Sequence, residues 1–403
     1  MKNKEIPKET WRTWIELNKQ ALKNNYSIFR RLIGSSTGES ADLVARPADA
    51  KPIGPKCLLM SVVKSNAYGH SLIDFSRAVE NLGVDWLGVD SILEAESLRK
   101  SGLKKPILVL GYILQNRMEN AVKNNISLTI ADFPTLENLK SLSKNGAKLK
   151  IHLKVDTGMQ RQGFIVSEIP AVIKILKSET LPVILEGVYT HFSSAKNPAF
   201  PATTLQQIEE FKKAVVLFES AGFKTLIKHA AATSGAIIFP QSRFNLVRVG
   251  IGLYGLWPSK EAKAAFEGKI KLEPVLSWKT IVGQIKNLPK GSKIGYDLTE
   301  TLNRPSRVAV LPIGYWHGFP RSLSSIGKVL INGKVAKVLG RVSMDMISVD
   351  VTDIKNEKIG DEAVLIGKSG KLEISADDAG DLSDTINYEM VTRLNPLIKR
   401  IVV

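Results

Sequence analysis

The chain has 403 residues, 44% hydrophobic and 24% charged, an ordinary globular composition with no apolar run long enough to span a bilayer. Its 56 basic and 39 acidic residues give a net charge of +17, but Lys and Arg are spread along the whole chain without a basic block, so nucleic-acid binding is not expected. One cysteine, Cys57, excludes an internal disulfide and a cysteine-built metal site, and five histidines without HExxH-like spacing argue against a zinc hydrolase.

The N-terminal MKNKEIPKETW lacks an apolar core and a cleavage site, so it is not read as a secretory signal; with the single cysteine it points to a reducing cytoplasm. An amphipathic stretch, WIELNKQALKNNYSIFRRLIG, is followed by residues 35–56, whose Ser, Ala, Pro and Gly predict a surface loop. From residue 57 short apolar runs alternate with helix-like segments. The runs are 57–64, 84–89, 106–111, 127–131, 148–156, 184–191, 226–230 and 246–250. Near-continuous apolar strands between helices indicate parallel β-structure covered on both faces, and eight such units close into an α/β (β/α)8 TIM barrel. An open doubly wound sheet is the alternative, but no GxGxxG follows the first strand. Beyond residue 262 the helical period fades into β-branched, alternating segments with NG and KG turns, which predicts a mostly β C-terminal domain. The expected division is a barrel over 21–262 and a β domain over 263–403.

A barrel places functional residues at the C-terminal ends of its strands. Lys64 closes the first run, in SVVKSNAYGH. Burial at a barrel mouth would strip its ammonium of water and favour the neutral amine that Schiff-base chemistry needs, although a strand-end lysine also commonly extends into solvent. Tyr68 follows four residues later, where its hydroxyl could turn back toward a ligand near Lys64.

VVKSNAYGHS resembles the pyridoxal-phosphate lysine motif of the alanine racemases. KVDTGMQRQGF (154–164), GVYTHFSSA (187–195), RVGIGLYG (248–255), IGYDLT (294–299), IGYWHGFPR (313–321), GRVSMDM (340–346) and INYEMVTR (386–393) resemble family blocks in family order. The resemblance implies a barrel followed by a β domain, with a short N-terminal strand within residues 1–20, here TWIEL, joining the second domain. It also implies a homodimer with shared active sites, acting on a small amino acid and needing no nucleic acid, membrane or metal.

In that family Lys64 would hold pyridoxal 5'-phosphate as an internal aldimine and act as base on one face of the substrate. Tyr296, from the other subunit, would be the base on the opposite face, because racemisation needs two opposed proton-transfer groups. A phenol ordinarily keeps its proton up to about pH 10. The family supports the ionised form through a histidine and an arginine that match His191 and Arg248. Arg248 would also face the pyridine nitrogen and keep it unprotonated. Gly250, Ile251, Thr233 or its neighbour Ser234, Tyr68 and Tyr388 would bind the phosphate. Arg161 would steer the substrate carboxylate, with Met344 and Asp345 reaching in from the second subunit and Tyr315 as a further substrate-binding residue. Lys154 would orient Arg161, and His229 is a further supporting residue.

The chain departs from the family pattern in several places. Ala232 and Thr233 stand where Asn and Ser are usual, Gln160 and Gln162 flank Arg161, Trp316 and His317 replace smaller or acidic residues, and Ser343 replaces a cysteine. The implied activity is interconversion of L- and D-alanine, supplying D-alanine for peptidoglycan. A broader, serine-accepting racemase and a pyridoxal-phosphate decarboxylase of the same fold are the alternatives.

Overall fold

The structure, a computed structural model, describes residues 11–34, 57–142, 148–178 and 181–403. The expected loop over 35–56 and the N-terminal reading over 1–10 lie outside the described residues. The chain divides into two compact units, one of Met1–Lys19, Tyr68–Ser71 and Pro274–Val403, the other of Gln20–Ala67 and Leu72–Glu273. The division read from the pattern, at 262, neither includes the Tyr68–Ser71 excursion nor places the boundary at Pro274.

Strand β1 (Thr13–Leu17) belongs to the first unit. The second unit is built on β2 (Leu58–Val62), β3 (Trp86–Val89), β4 (Ile107–Val109), β5 (Ser127–Ile130), β6 (Leu149–Lys154), β7 (Val183–Tyr189), β8 (Ile227–His229) and β9 (Leu246–Val249), one for each expected run. All pair in parallel in the order β8-β7-β6-β5-β4-β3-β2-β9. The ring closes where Asn245 N–H donates to the Lys228 carbonyl (3.3 Å) and Arg248 N–H to that of Ala231 (3.0 Å). The expected barrel is therefore present.

Side chains alternate across each strand, so register decides what fills the interior. Met60 pairs with both Trp86 and Arg248, His152 with Thr129 and Gly187, and Tyr189 with Lys154 and His229. One interior stretch is apolar, with Met60, Trp86, Leu108 and Leu246 clustered. The rest is polar, carrying His152, His229 and Arg248, all buried. The helices between strands dock by apolar stripes, as Phe75 and Val79 do in Leu72–Leu82.

In the first unit, β1 lies between β10 (Leu276–Ile281) and β20 (Lys399–Val402), antiparallel to the former and parallel to the latter. Around them run β11 (Gln284–Leu288), β12 (Lys293–Ile294), β13 (Glu300–Thr301), β14 (Ser306–Leu311), β15 (Lys328–Ile331), β16 (Lys334–Leu339), β17 (Ile347–Asp350), β18 (Glu362–Ser369) and β19 (Leu372–Ile374). The main sheet has the order β11-β14-β17-β16-β15-β18-β10-β1-β20. β10 buries alternate residues, the signature of a sheet with one covered face. Asn332 and Gly333, both with positive φ, make the two-residue turn that sets the β15–β16 register. Among the described residues, no helix is long and apolar enough to cross a membrane.

Candidate active site

The chain leaves β2 through Val63 and enters a left-handed turn. Ser65, Asn66 and Ala67 have φ of 56°, 54° and 52°, a conformation that costs an L-residue about 1–2 kcal/mol. Hydrogen bonds hold it. Ala67 N–H donates to the Val63 carbonyl (2.8 Å), Leu72 N–H to Asn66 Oδ1 (2.8 Å) and Ser65 N–H to Glu94 Oε1 (2.6 Å). Glu94 also closes the capping box with Ser91 that starts helix Ile92–Lys100. Its carboxylate thus ties the turn after β2 to the turn after β3. Lys64 opens the strained turn, with Nζ 3.3 Å from Asp90 Oδ1. The burial expected for Lys64 is not found. Its side chain is 40% exposed and its company is a carboxylate rather than an apolar wall.

Arg248 is 3% exposed inside the barrel. Nη1 donates to His229 Nδ1 (2.9 Å) and to the His229 carbonyl (3.1 Å). Nη2 donates to the carbonyls of Thr190 (2.8 Å) and Ala230 (2.9 Å) and to His191 Nδ1 (3.2 Å). Among the described residues none accepts from Nε. Burial lowers its pKa to about 10, which still leaves it charged at neutrality. A guanidinium has no acceptor, so the Nδ1 atoms it meets carry no proton. His191, whose pKa burial and then Arg248 press down to about 3, is neutral and carries its proton on Nε2. His229, also held neutral by burial, then donates from Nε2 to His152 Nδ1 (2.9 Å). Tyr189 stacks on His229 with centroids 4.7 Å apart, and the guanidinium lies 5.1 Å over its ring.

After β6 one carboxylate organises the DTGMQR turn. Asp156 Oδ1 accepts from the N–H groups of Gly158 (2.9 Å), Met159 (3.0 Å) and Gln160 (3.1 Å), and Oδ2 from that of Arg161 (3.2 Å). Lys154 is buried, and its pKa falls to about 8, first from burial and then from Arg161. Its Nζ donates to Gln162 Oε1 at 3.1 Å. The hydrogen-bond partner of Lys154, the residue expected to orient Arg161, is thus Gln162, which adjoins that arginine in the chain. Two cations repel, and the neighbouring amide oxygen accepts what a guanidinium cannot. Near β9, Thr233 Oγ1 accepts from Gly252 N–H (3.4 Å), which sets this hydroxyl against the Gly250–Gly252 turn.

In the first unit the Tyr68–Ser71 segment is anchored by Arg400, whose Nε and Nη2 donate to the Gly69 carbonyl at 3.1 and 3.0 Å. Gly69 has φ +80°, and a Cβ there would lie 1.9 Å from the Val391 carbonyl oxygen. Tyr68 and Tyr388 rings sit 6.2 Å apart, and burial raises both phenol pKa values, that of Tyr68 to about 12. Three motif loops converge elsewhere on this unit. Tyr315 and Trp316 N–H groups donate to the Ser343 and Met344 carbonyls (3.1 and 3.0 Å), while Arg341 Nε lies 3.6 Å from Asp297 Oδ2, beside Tyr296 in the chain. Tyr296 is 71% exposed, Trp316 56% and Met344 54%. Asp345, on the same loop, acts electrostatically on His317.

Asp90, Glu94, Asp156 and His152 are positioning groups that the sequence reading does not single out. His152 and Lys154, two apart in KIHLK, carried the signal, since that spacing puts both on one face of a strand.

Comparison with known proteins gives a consistent result. Residues 48–258 match the family described as "Alanine racemase, N-terminal domain", and residues 275–402 match "Alanine racemase, C-terminal domain". The chain is 36% identical over 400 residues to an alanine racemase of Leptospira interrogans, covering 98% of this chain and 97% of that one. It is 37% identical over 391 residues to one of Methanococcus maripaludis, with 96% and 98% covered. Among solved structures it is similar to alanine racemase of Clostridium difficile 630, with TM-score 0.87, 31% identity, and 98% and 96% of the chains covered. The Bacillus anthracis alanine racemase with bound L-Ala-P gives 0.86 and 31%, with 97% and 95% covered.

Proposed function

The chain belongs to the alanine racemase family, and from that premise we propose how it works. It is an enzyme that interconverts L-alanine and D-alanine, supplying D-alanine for peptidoglycan. It uses pyridoxal 5'-phosphate and acts in the cytoplasm as a homodimer with shared active sites.

The residues present fit that cofactor. The single observation carrying the reading is Arg248: its terminal N–H groups are spent on protein acceptors, and Nε–H is left for a pyridine nitrogen. When bound, the cofactor supplies an electron-accepting ring that lets the substrate α-proton leave. Lys64 holds it through the side-chain amine. Thr233, the Gly250–Ile251 turn, Tyr68 and Tyr388 hold the phosphate. Arg248 stays charged and gives no proton to the ring, which keeps the carbanion-forming tendency modest and protects against side reactions. Arg161, on the turn fixed by Asp156, steers the substrate carboxylate.

Lys64 Nζ moves the α-proton on one face, and the Tyr296 hydroxyl of a second copy moves it on the other. His191 Nε2–H is the donor available to steady that phenol as an anion. The homodimer is supported by the exposed Tyr296, Trp316 and Met344 on adjoining loops, an apolar surface of the kind that partners cover. Met344 and Asp345 of the second copy, with Tyr315, complete the substrate-binding set.

The test is conversion of L-alanine to D-alanine by purified protein with pyridoxal 5'-phosphate, with sedimentation velocity on the same sample. Equimolar enantiomers from a dimer support the reading; release of carbon dioxide in place of D-alanine would replace it with a decarboxylase.

A further inference from the structure

Arg248 has a buried positive charge and no ion pair among the described residues. The contacts behind it lead across the barrel. His229 carries its proton on Nε2 and donates it to His152 Nδ1 at 2.9 Å. His152 must therefore carry its own proton on Nε2, since a proton on Nδ1 would face that of His229. Burial, reinforced by Arg248, keeps this ring neutral.

His152 Nε2 is buried without a hydrogen-bond partner among the described residues and lies 3.8 Å from Glu186 Oε2. That distance is too long for a hydrogen bond, but a carboxylate there still favours the proton at Nε2 over the one at Nδ1. Glu186 is placed by an irregularity. The β6–β7 register pairs Ile151 with Leu185 and His152 with Gly187, so Glu186 is the extra residue of a bulge, a device that re-aims a side chain. The groups facing it are Ser127 of β5, which donates to Oε2 at 2.5 Å, and from β6 Lys150, with Nζ 3.6 Å from Oε1, and His152.

We infer that Glu186 is a positioning residue for Arg248: acting through His152 and His229, its carboxylate favours the Nε2–H tautomers that the guanidinium sets and helps hold the guanidinium with Nε–H left for the cofactor ring. The carboxylate polarises both rings in one direction, and so gives the buried guanidinium its anionic counterweight from across the barrel. The consequence for turnover rests on the racemase reading; the tautomers do not.

The test uses full-length protein labelled with ¹⁵N-histidine, first without cofactor. Only five histidines need assignment. In the unsubstituted protein His152 and His229 are both expected as neutral Nε2–H tautomers. In Glu186→Gln the His152 Nε2 resonance should shift, while His229, whose Nδ1 still accepts from Arg248, stays an Nε2–H tautomer. In the cofactor-loaded variant kcat should fall about tenfold, as loss of an outer-shell partner typically does, with KM for alanine within about twofold. An unmoved His152 Nε2 resonance, or unchanged kcat, overturns the inference. Should the amide variant not fold, Glu186→Asp withdraws the carboxylate by one methylene. The His152 Nε2 resonance then shifts, and an unmoved resonance overturns the proposal. Failure of the unsubstituted enzyme to racemise alanine would sink the racemase reading and leave the tautomer result standing.

Discussion

Arg248 Nη2 and His191 Nδ1 meet at 3.2 Å, and because a guanidinium only donates, this contact decides where the histidine keeps its proton. The Nε2–H that results can donate to a phenolate. Tyr296→Phe should therefore slow α-proton exchange on one face of alanine by about 10²–10⁴, leaving cofactor affinity nearly unchanged. Deuterium exchange from each enantiomer separately, with equilibrium binding of the cofactor, checks this. Equal losses in exchange and in binding would contradict the two-base assignment.

Lys64 stands at the start of a left-handed turn that Glu94 holds from the next strand end. Lys64→Ala should abolish covalent attachment of the cofactor while the fold persists. Absorbance spectroscopy of the loaded protein reads this directly, and an imine band unchanged from that of the unsubstituted protein would refute it.

The buried imidazoles make stability acid-sensitive. His152 and His229 have folded pKa values below the ordinary 6.5, about 3 for His152, because burial disfavours their charged forms. The unfolded chain thus binds more protons below pH 6.5, and stability falls as pH drops from there toward the folded values. Each should cost about 1 kcal/mol between pH 6.5 and 5.5. Urea denaturation at the two pH values measures it. A His152→Phe variant that keeps the full slope would count against this assignment.

Gly187 leaves room for a relay ring. A Cβ there would lie 2.5 Å from His152 Nδ1 and 2.6 Å from the Ile227 carbonyl oxygen. Gly187→Ala should destabilise the protein by about 1–3 kcal/mol through overpacking, and should also disturb the His152–His229 contact. Denaturant midpoints with histidine NMR would show both, and a neutral substitution would mean that the strand yields.

Much of this is legible in the amino-acid sequence. The eight apolar runs end within a residue or two of the barrel strands, because buried parallel strands need continuous apolar sequence. Arg248 is legible through the resemblance of RVGIGLYG to a family block. Contacts set by distant register are not. Glu186 turns toward His152 only because β7 carries a bulge, and nothing in VILEGVY marks it. Lys64 was expected to be buried, yet Asp90, at the end of the next strand, holds it at the exposed rim. The hydrogen bond from Lys154 to Gln162, beside Arg161, likewise depends on a turn that Asp156 winds with four backbone donors.

The most direct test of the two-base racemase is incubation with L-alanine and pyridoxal 5'-phosphate in D₂O, following α-deuteration and chirality together. Deuterium should appear at the α-carbon while D-alanine accumulates to equality with L-alanine. Deuterated L-alanine without any D-alanine would contradict it, leaving one working base on one face.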